Sequence, residues 1–160
     1  MLPLRQLIPP LTLRAPDGRT VRAWDFKQKK NLLIAFLHAD CAPCEQFLRA
    51  LAAESAAWKE SDAVVLVAFL ESPSRALVDS LPPPIVLGVD VTGHAATAFL
   101  GRDANAPPGI ARLGIFLTDR YGELAAQWEI GASHAFPDVA TLRAQIERID
   151  MCDGCGTPLW

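Results

Sequence analysis

Two segments of the chain are apolar without a break: "NLLIAFL", Asn31 to Leu37, and "AVVLVAFL", Ala63 to Leu70. Each has the length of a strand, and uninterrupted apolarity is the mark of a strand covered on both faces. Between them the period changes. From Ala42 to about Lys59, Phe47, Leu48, Leu51 and Trp58 fall on one helical face. Pro43 stands in the first turn, where a missing N–H costs nothing. Asn31 to Leu70 therefore reads as β-α-β, with a right-handed crossover and a parallel strand pair.

Before this unit, "LTLRAPDGRTVRAWDF" places the turn signal "PDG" between two short β segments, which predicts an N-terminal hairpin. After it come a short helical piece near Ser74 to Ser80, the strand "PIVLGVD", and "VTGHAATAFLGRDANAPPGIA", a short helix followed by a Pro/Gly loop. "LGIFLTDRYGELAAQWEI" gives two strands around the turn "DRYG", an antiparallel hairpin in which Asp119 serves as a turn acceptor. A last helix starts near Pro137 and Asp138, with Val139, Leu142, Ile146 and Ile149 on one face. The predicted architecture is α/β: a central mixed sheet, parallel in the middle and antiparallel at one end, with helices on both faces. Trp24, Trp58 and Trp128 read as core or hairpin-face packing.

At 160 residues and 51% hydrophobic, the chain suits one sizeable core, so residues 1–150 read as a single domain and 151–160 as a tail. A net charge of −3 leaves no Lys/Arg surplus for a nucleic-acid partner. "KQKK", Lys27 to Lys30, is a solvated turn before the next strand. Prolines break the apolar N-terminus, which has no export signal, and no apolar run approaches the roughly 18 residues that cross a bilayer. The expectation is a cytoplasmic protein with no membrane partner. In that reducing compartment a C-x-x-C is more often catalytic or metal-binding than structural. All four cysteines fall in two such units, "CAPC" and "CDGC".

The chain resembles the redoxin branch of the thioredoxin superfamily, which holds the alkyl hydroperoxide reductase/thiol-specific antioxidant proteins and thioredoxin-like thiol oxidoreductases. The resemblance spans roughly Leu7 to Ile149. Its carriers are the opening "LTLRAPDGRTVRAWDF", the strand and loop "NLLIAFLHADCAPC", and the late hairpin "IFLTDRYGEL". It implies a thioredoxin-like fold and a redox-active centre at Cys41 and Cys44. Two positions depart from the family pattern. Where many members carry a cis-proline, or peroxidases an arginine, this chain has Leu113, with Arg112 one residue earlier. Where peroxidases tend to have Thr or Ser, three residues before the reactive cysteine, it has His38.

The position of Cys41 at a helix start and Cys44 one turn in puts both sulfurs on one side, with free N–H groups facing the first. Those donors stabilise a thiolate, which is the nucleophile. Asp40 and Glu45 flank the pair and oppose the effect by like-charge repulsion. The expected activity is thiol–disulfide exchange on a protein or small-molecule disulfide, with Cys41 attacking, Cys44 resolving and a cellular thiol reductant restoring the dithiol. No cofactor is required for that chemistry. The competing enzymatic reading is a peroxidase in which Cys41 becomes a sulfenic acid, with His38 or Arg112 assisting. Two non-redox readings are paired packing cysteines and a metal clip with His38. A non-enzymatic binding module belongs to a third class.

"CDGCG", at Cys152 and Cys155, has the form of a zinc knuckle, which supplies half of a tetrahedral site. Its other ligands would come from a second copy in a homodimer, or from His134. A tail that oxidises adventitiously is the alternative. An electron relay from this pair to Cys41 and Cys44 within one chain is disfavoured. In a thioredoxin-like fold, as the resemblance implies, the last helix runs away from the active-site end. His94 reads as a surface or partly packed helix residue.

Overall fold

The computed structural model describes residues 2–101 and 113–153. Among the described residues, seven strands form one sheet: β1 (Thr12–Arg14), β2 (Thr20–Arg22), β3 (Asn31–Leu37), β4 (Ala63–Phe69), β5 (Ile85–Val89), β6 (Leu113–Thr118) and β7 (Leu124–Ile130). Their order across the sheet is β2-β1-β5-β4-β3-β6-β7. The centre is parallel, β4 pairing with both β3 and β5, and β6 and β7 extend it antiparallel beyond β3. The N-terminal hairpin joins the other side, with Arg14 opposite Val89.

Both apolar runs are buried along their whole length, because each central strand faces a core on either side. Leu33, Ala35 and Leu37 of β3 pack with Phe47, Leu48 and Leu51 of α1 (Ala42–Ala53), Trp58 of α2 (Ser55–Glu60), and Leu142 and Ile146 of α5 (Val139–Asp153). Leu32, Ile34 and Phe36 face the other way, towards Ala95, Phe99 and Leu100 of α4 (His94–Leu100). There Phe36, Phe99 and Phe116 meet ring to ring, with centroids 5.1 to 5.9 Å apart. The short α3 (Arg75–Asp79) is capped by the Ser74 hydroxyl, which accepts from the N–H of Leu77.

Three expectations need correction. The helix expected from Ala42 to Lys59 is two helices, divided at Glu54 (φ −100°, ψ 18°). At the break the Leu51 oxygen accepts twice, from the Glu54 N–H at 3.2 Å and from the Trp58 indole N–H at 2.8 Å. The last helix continues to Asp153, so residue 152 belongs to α5 and not to a separate tail. Trp24 is not a packing residue: it is 71% exposed, on a 3-10 turn (Ala23–Phe26), with the Lys27 ammonium 4.0 Å above its ring. Among the described residues, no helix is long and apolar enough to cross a membrane.

Opposed ends of the sheet are marked by the contacts of α5. Near its start, Phe136 stacks on Phe47 of α1 at 4.5 Å. Near its end, Asp150 accepts from the side-chain amide of Asn31, the first residue of β3, at 2.6 Å. Cys41 follows the other end of β3, a strand of seven residues or about 20 Å.

Candidate redox site

The redox loop leaves β3 at Leu37, still paired to the next strand through Leu70 N–H and the Leu37 oxygen at 3.1 Å. His38, Ala39 and Asp40 lead to Cys41, which takes extended backbone angles (φ −146°, ψ 108°) and caps α1. Its carbonyl accepts from Glu45 N–H at 3.0 Å, and its sulfur accepts from Cys44 N–H at 3.2 Å. Pro43, in the first turn, has no N–H to leave unpaired. The cysteine pair expected at the helix start is therefore present. Cys41 and Cys44 are joined as a disulfide, with Cα atoms 5.2 Å apart. Cys41 is half-buried, while Cys44 is 1% exposed and belongs to the core with Phe47 and Leu48. Of the two sulfurs, that of Cys41 is therefore the more accessible to a substrate.

Of the flanking acids, Asp40 is exposed and Glu45 pairs with Arg49 on the next turn of α1. The Arg49 guanidinium offsets one of the two charges expected to oppose the thiolate. His38 is turned to a partner remote in sequence: its Nδ1 lies 2.9 Å from a Glu71 oxygen, and the other Glu71 oxygen accepts from Ala39 N–H at 3.1 Å. Burial pushes the Glu71 carboxyl up, but the Ala39 N–H, the His38 hydrogen bond and the His38 charge outweigh it. The carboxyl ends below its ordinary value. Glu71 is absent from the sequence reading. It stands just past β4, 33 residues from His38, and no local signal ties the two together.

Leu113, the place of the family's proline or arginine, opens β6 opposite Ile130 and is buried in the core that holds Cys44. Arg112 and Cys155 lie outside the described residues. Residue 152 is carried by α5 beyond Asp150, at the end of the sheet remote from Cys41. His134 precedes the other end of α5, its Nδ1 3.0 Å from the Ala132 oxygen, so about 20 Å of helix separates it from residue 152. Among the described residues, no group of three or more His, Cys, Asp or Glu side chains is placed to hold a metal ion.

A mixed sheet with a C-x-x-C at the start of the helix after its central strand defines a thioredoxin-like protein of the redoxin branch. The AhpC/TSA family model matches residues 4–127, and the chain belongs to that family. It resembles the reduced 2-Cys peroxiredoxin of Plasmodium vivax at 16% identity and a TM-score of 0.76, over 94% of this chain and 98% of that one. Against a yeast mitochondrial 1-Cys peroxiredoxin the TM-score is 0.80 at 14% identity, over 100% and 83%. Against the thioredoxin domain of a thiol-disulfide oxidoreductase from Bacteroides vulgatus it is 0.62 at 18% identity, over 79% and 89%. No curated protein matches the chain.

Proposed function

We propose that the protein is a thiol–disulfide oxidoreductase in which Cys41 is the nucleophile and Cys44 the resolving thiol. The observation that carries this is the pairing of a half-buried sulfur at a helix N-cap with a buried sulfur within bonding reach of it. The Cys41 thiolate attacks a substrate disulfide, forming a mixed disulfide and releasing one substrate thiolate. Cys44, losing its proton, displaces the second substrate thiol and closes the Cys41–Cys44 disulfide. Two electrons pass to the substrate, and a cellular thiol reductant returns them. The cycle does not use Cys152 or Cys155.

The test is trapping. Cys44→Ser should accumulate a mixed disulfide at Cys41, visible by intact mass, while Cys41→Ser should abolish disulfide reduction. Full activity in Cys41→Ser would overturn the proposal. The AhpC/TSA match favours a second reading, in which Cys41 is oxidised by a hydroperoxide to a sulfenic acid and Cys44 condenses with it, releasing water. Rapid mixing with hydrogen peroxide and cumene hydroperoxide separates the two. Rates no better than those of a free thiol remove the peroxidase.

A further inference from the structure

The segment between β3 and Cys41 is held from outside by one carboxylate. Glu71 puts one oxygen 2.9 Å from His38 Nδ1 and the other 3.1 Å from Ala39 N, so a single side chain grips two consecutive residues of the redox loop. We infer that Glu71 is a positioning residue of the redox site, fixing the His38 imidazole with its hydrogen on Nδ1 and Nε2 as the basic nitrogen, and pinning the loop that presents Cys41. The inference deepens the dithiol reading and rests on it for its catalytic consequence.

The argument is one of hydrogen-bond roles. An ionised carboxylate has only acceptors, so the imidazole nitrogen facing it must be the donor, whether the ring is neutral or cationic. Glu71 is ionised at neutral pH, its carboxyl lying below the usual glutamate range. The grip therefore selects the tautomer and turns the proton-accepting nitrogen away from the carboxylate. Among the described residues, the other charged groups lining the groove that holds Glu71 and Ala39 are Asp40, which is exposed, and Glu45 with its partner Arg49. The Ala39 bond acts separately: it fixes the backbone two residues before the N-cap, where the Cys41 sulfur must meet the N–H of Cys44.

The experiment is 15N nuclear magnetic resonance of the His38 ring in the intact reduced protein, with the pH dependence of disulfide reduction measured alongside. In the native protein, Nδ1 should carry the hydrogen of the neutral ring. Glu71→Ala should lower the fraction of the ring that carries its hydrogen on Nδ1. Glu71→Gln, which keeps one acceptor oxygen, should fall between. In the pH profile of kcat/KM, the limb that disappears in His38→Gln should be displaced in Glu71→Ala, with roughly a threefold loss at neutral pH. An unchanged tautomer in Glu71→Ala overturns the inference. So does a switched tautomer with an unchanged pH profile, which would make Glu71 a structural clamp alone. If the native protein reduces no disulfide, the proposed function fails, and the tautomer measurement still tests the grip.

Discussion

The backbone N–H of Cys44 points at the sulfur of Cys41, 3.2 Å away, so one cysteine caps the helix in whose core face the other is buried. A thiolate at that cap gains a charge-assisted hydrogen bond, while a thiolate at Cys44 would lose its water. The two thiols are therefore expected to titrate in a fixed order. In Cys44→Ser, the thiolate ultraviolet absorbance of Cys41 should rise below the free-cysteine value of about 8.5. In Cys41→Ser, that of Cys44 should rise above it. The reverse order would remove the structural basis for assigning attack to Cys41.

The grip of Glu71 on His38 and Ala39 has a defined acid limit. Its carboxyl is held below the ordinary glutamate value of 4.5, so the contribution to loop order is fully present above that pH. It is lost as pH falls through the lower folded-state value. The Ala39 amide resonance should report this transition with a midpoint below that of a free glutamate, and Glu71→Gln should flatten the curve. A midpoint at or above the free value would mean that the hydrogen bonds do not favour the ionised carboxylate.

Much of this site was legible because its signals are local. Unbroken apolarity at Asn31 to Leu37 fixed β3, and the change of period with Pro43 in the first turn fixed the start of α1; Cys41 had to fall at the cap between them. What escaped depends on contacts distant in sequence or on backbone angles with no residue signature. Glu54 breaks a helix without a glycine or proline, and its neighbours Ala52, Ala53, Ser55 and Ala56 all tolerate helix, so the pattern ran on to Lys59. Glu71 meets His38 only because β3 and β4 pair in register from Asn31 and Ala63 to Leu37 and Phe69. Trp24 reads as core or hairpin-face packing, but the 3-10 turn sends it outward, where a lysine covers one ring face. The last helix outran its expected end because Met151 and Cys152 carry no stop signal, and the first glycine comes at 154.

Trp58 closes the break at Glu54 by burying its ring completely and donating its indole N–H to the Leu51 oxygen. Trp58→Phe keeps most of the apolar bulk but leaves that buried carbonyl without its side-chain donor. Because that oxygen keeps its bond from the Glu54 N–H, the change should cost about 1 kcal/mol in urea unfolding, the net worth of one hydrogen bond. Trp58→Ala adds a cavity and should cost about 3–5 kcal/mol. A phenylalanine variant within about 0.5 kcal/mol of the native protein would show that the indole bond is not needed to close the break.

Two glycines in strands test which packing holds the sheet together. A Cβ at Gly88 of β5 would stand 2.7 Å from the Cβ of Leu13 and 3.1 Å from the Arg14 oxygen, so β1 itself would have to move. A Cβ at Gly114 of β6 would stand 2.6 Å from Leu100 Cδ2 and 3.0 Å from a ring carbon of Phe116, a closer approach but to side-chain ends. A leucine terminus can rotate aside, whereas backbone can yield only by shifting a strand. Gly88→Ala should therefore cost more than Gly114→Ala, about 1–3 kcal/mol against about 1 kcal/mol. The loss should be local, because β1 meets β5 through the single pair Arg14 and Val89. Amide exchange should quicken across Thr12–Arg14 and Thr20–Arg22 in Gly88→Ala while β3 and β4 stay protected. If β3 and β4 lose protection equally, the N-terminal hairpin is coupled to the central strands more tightly than its one-pair junction implies.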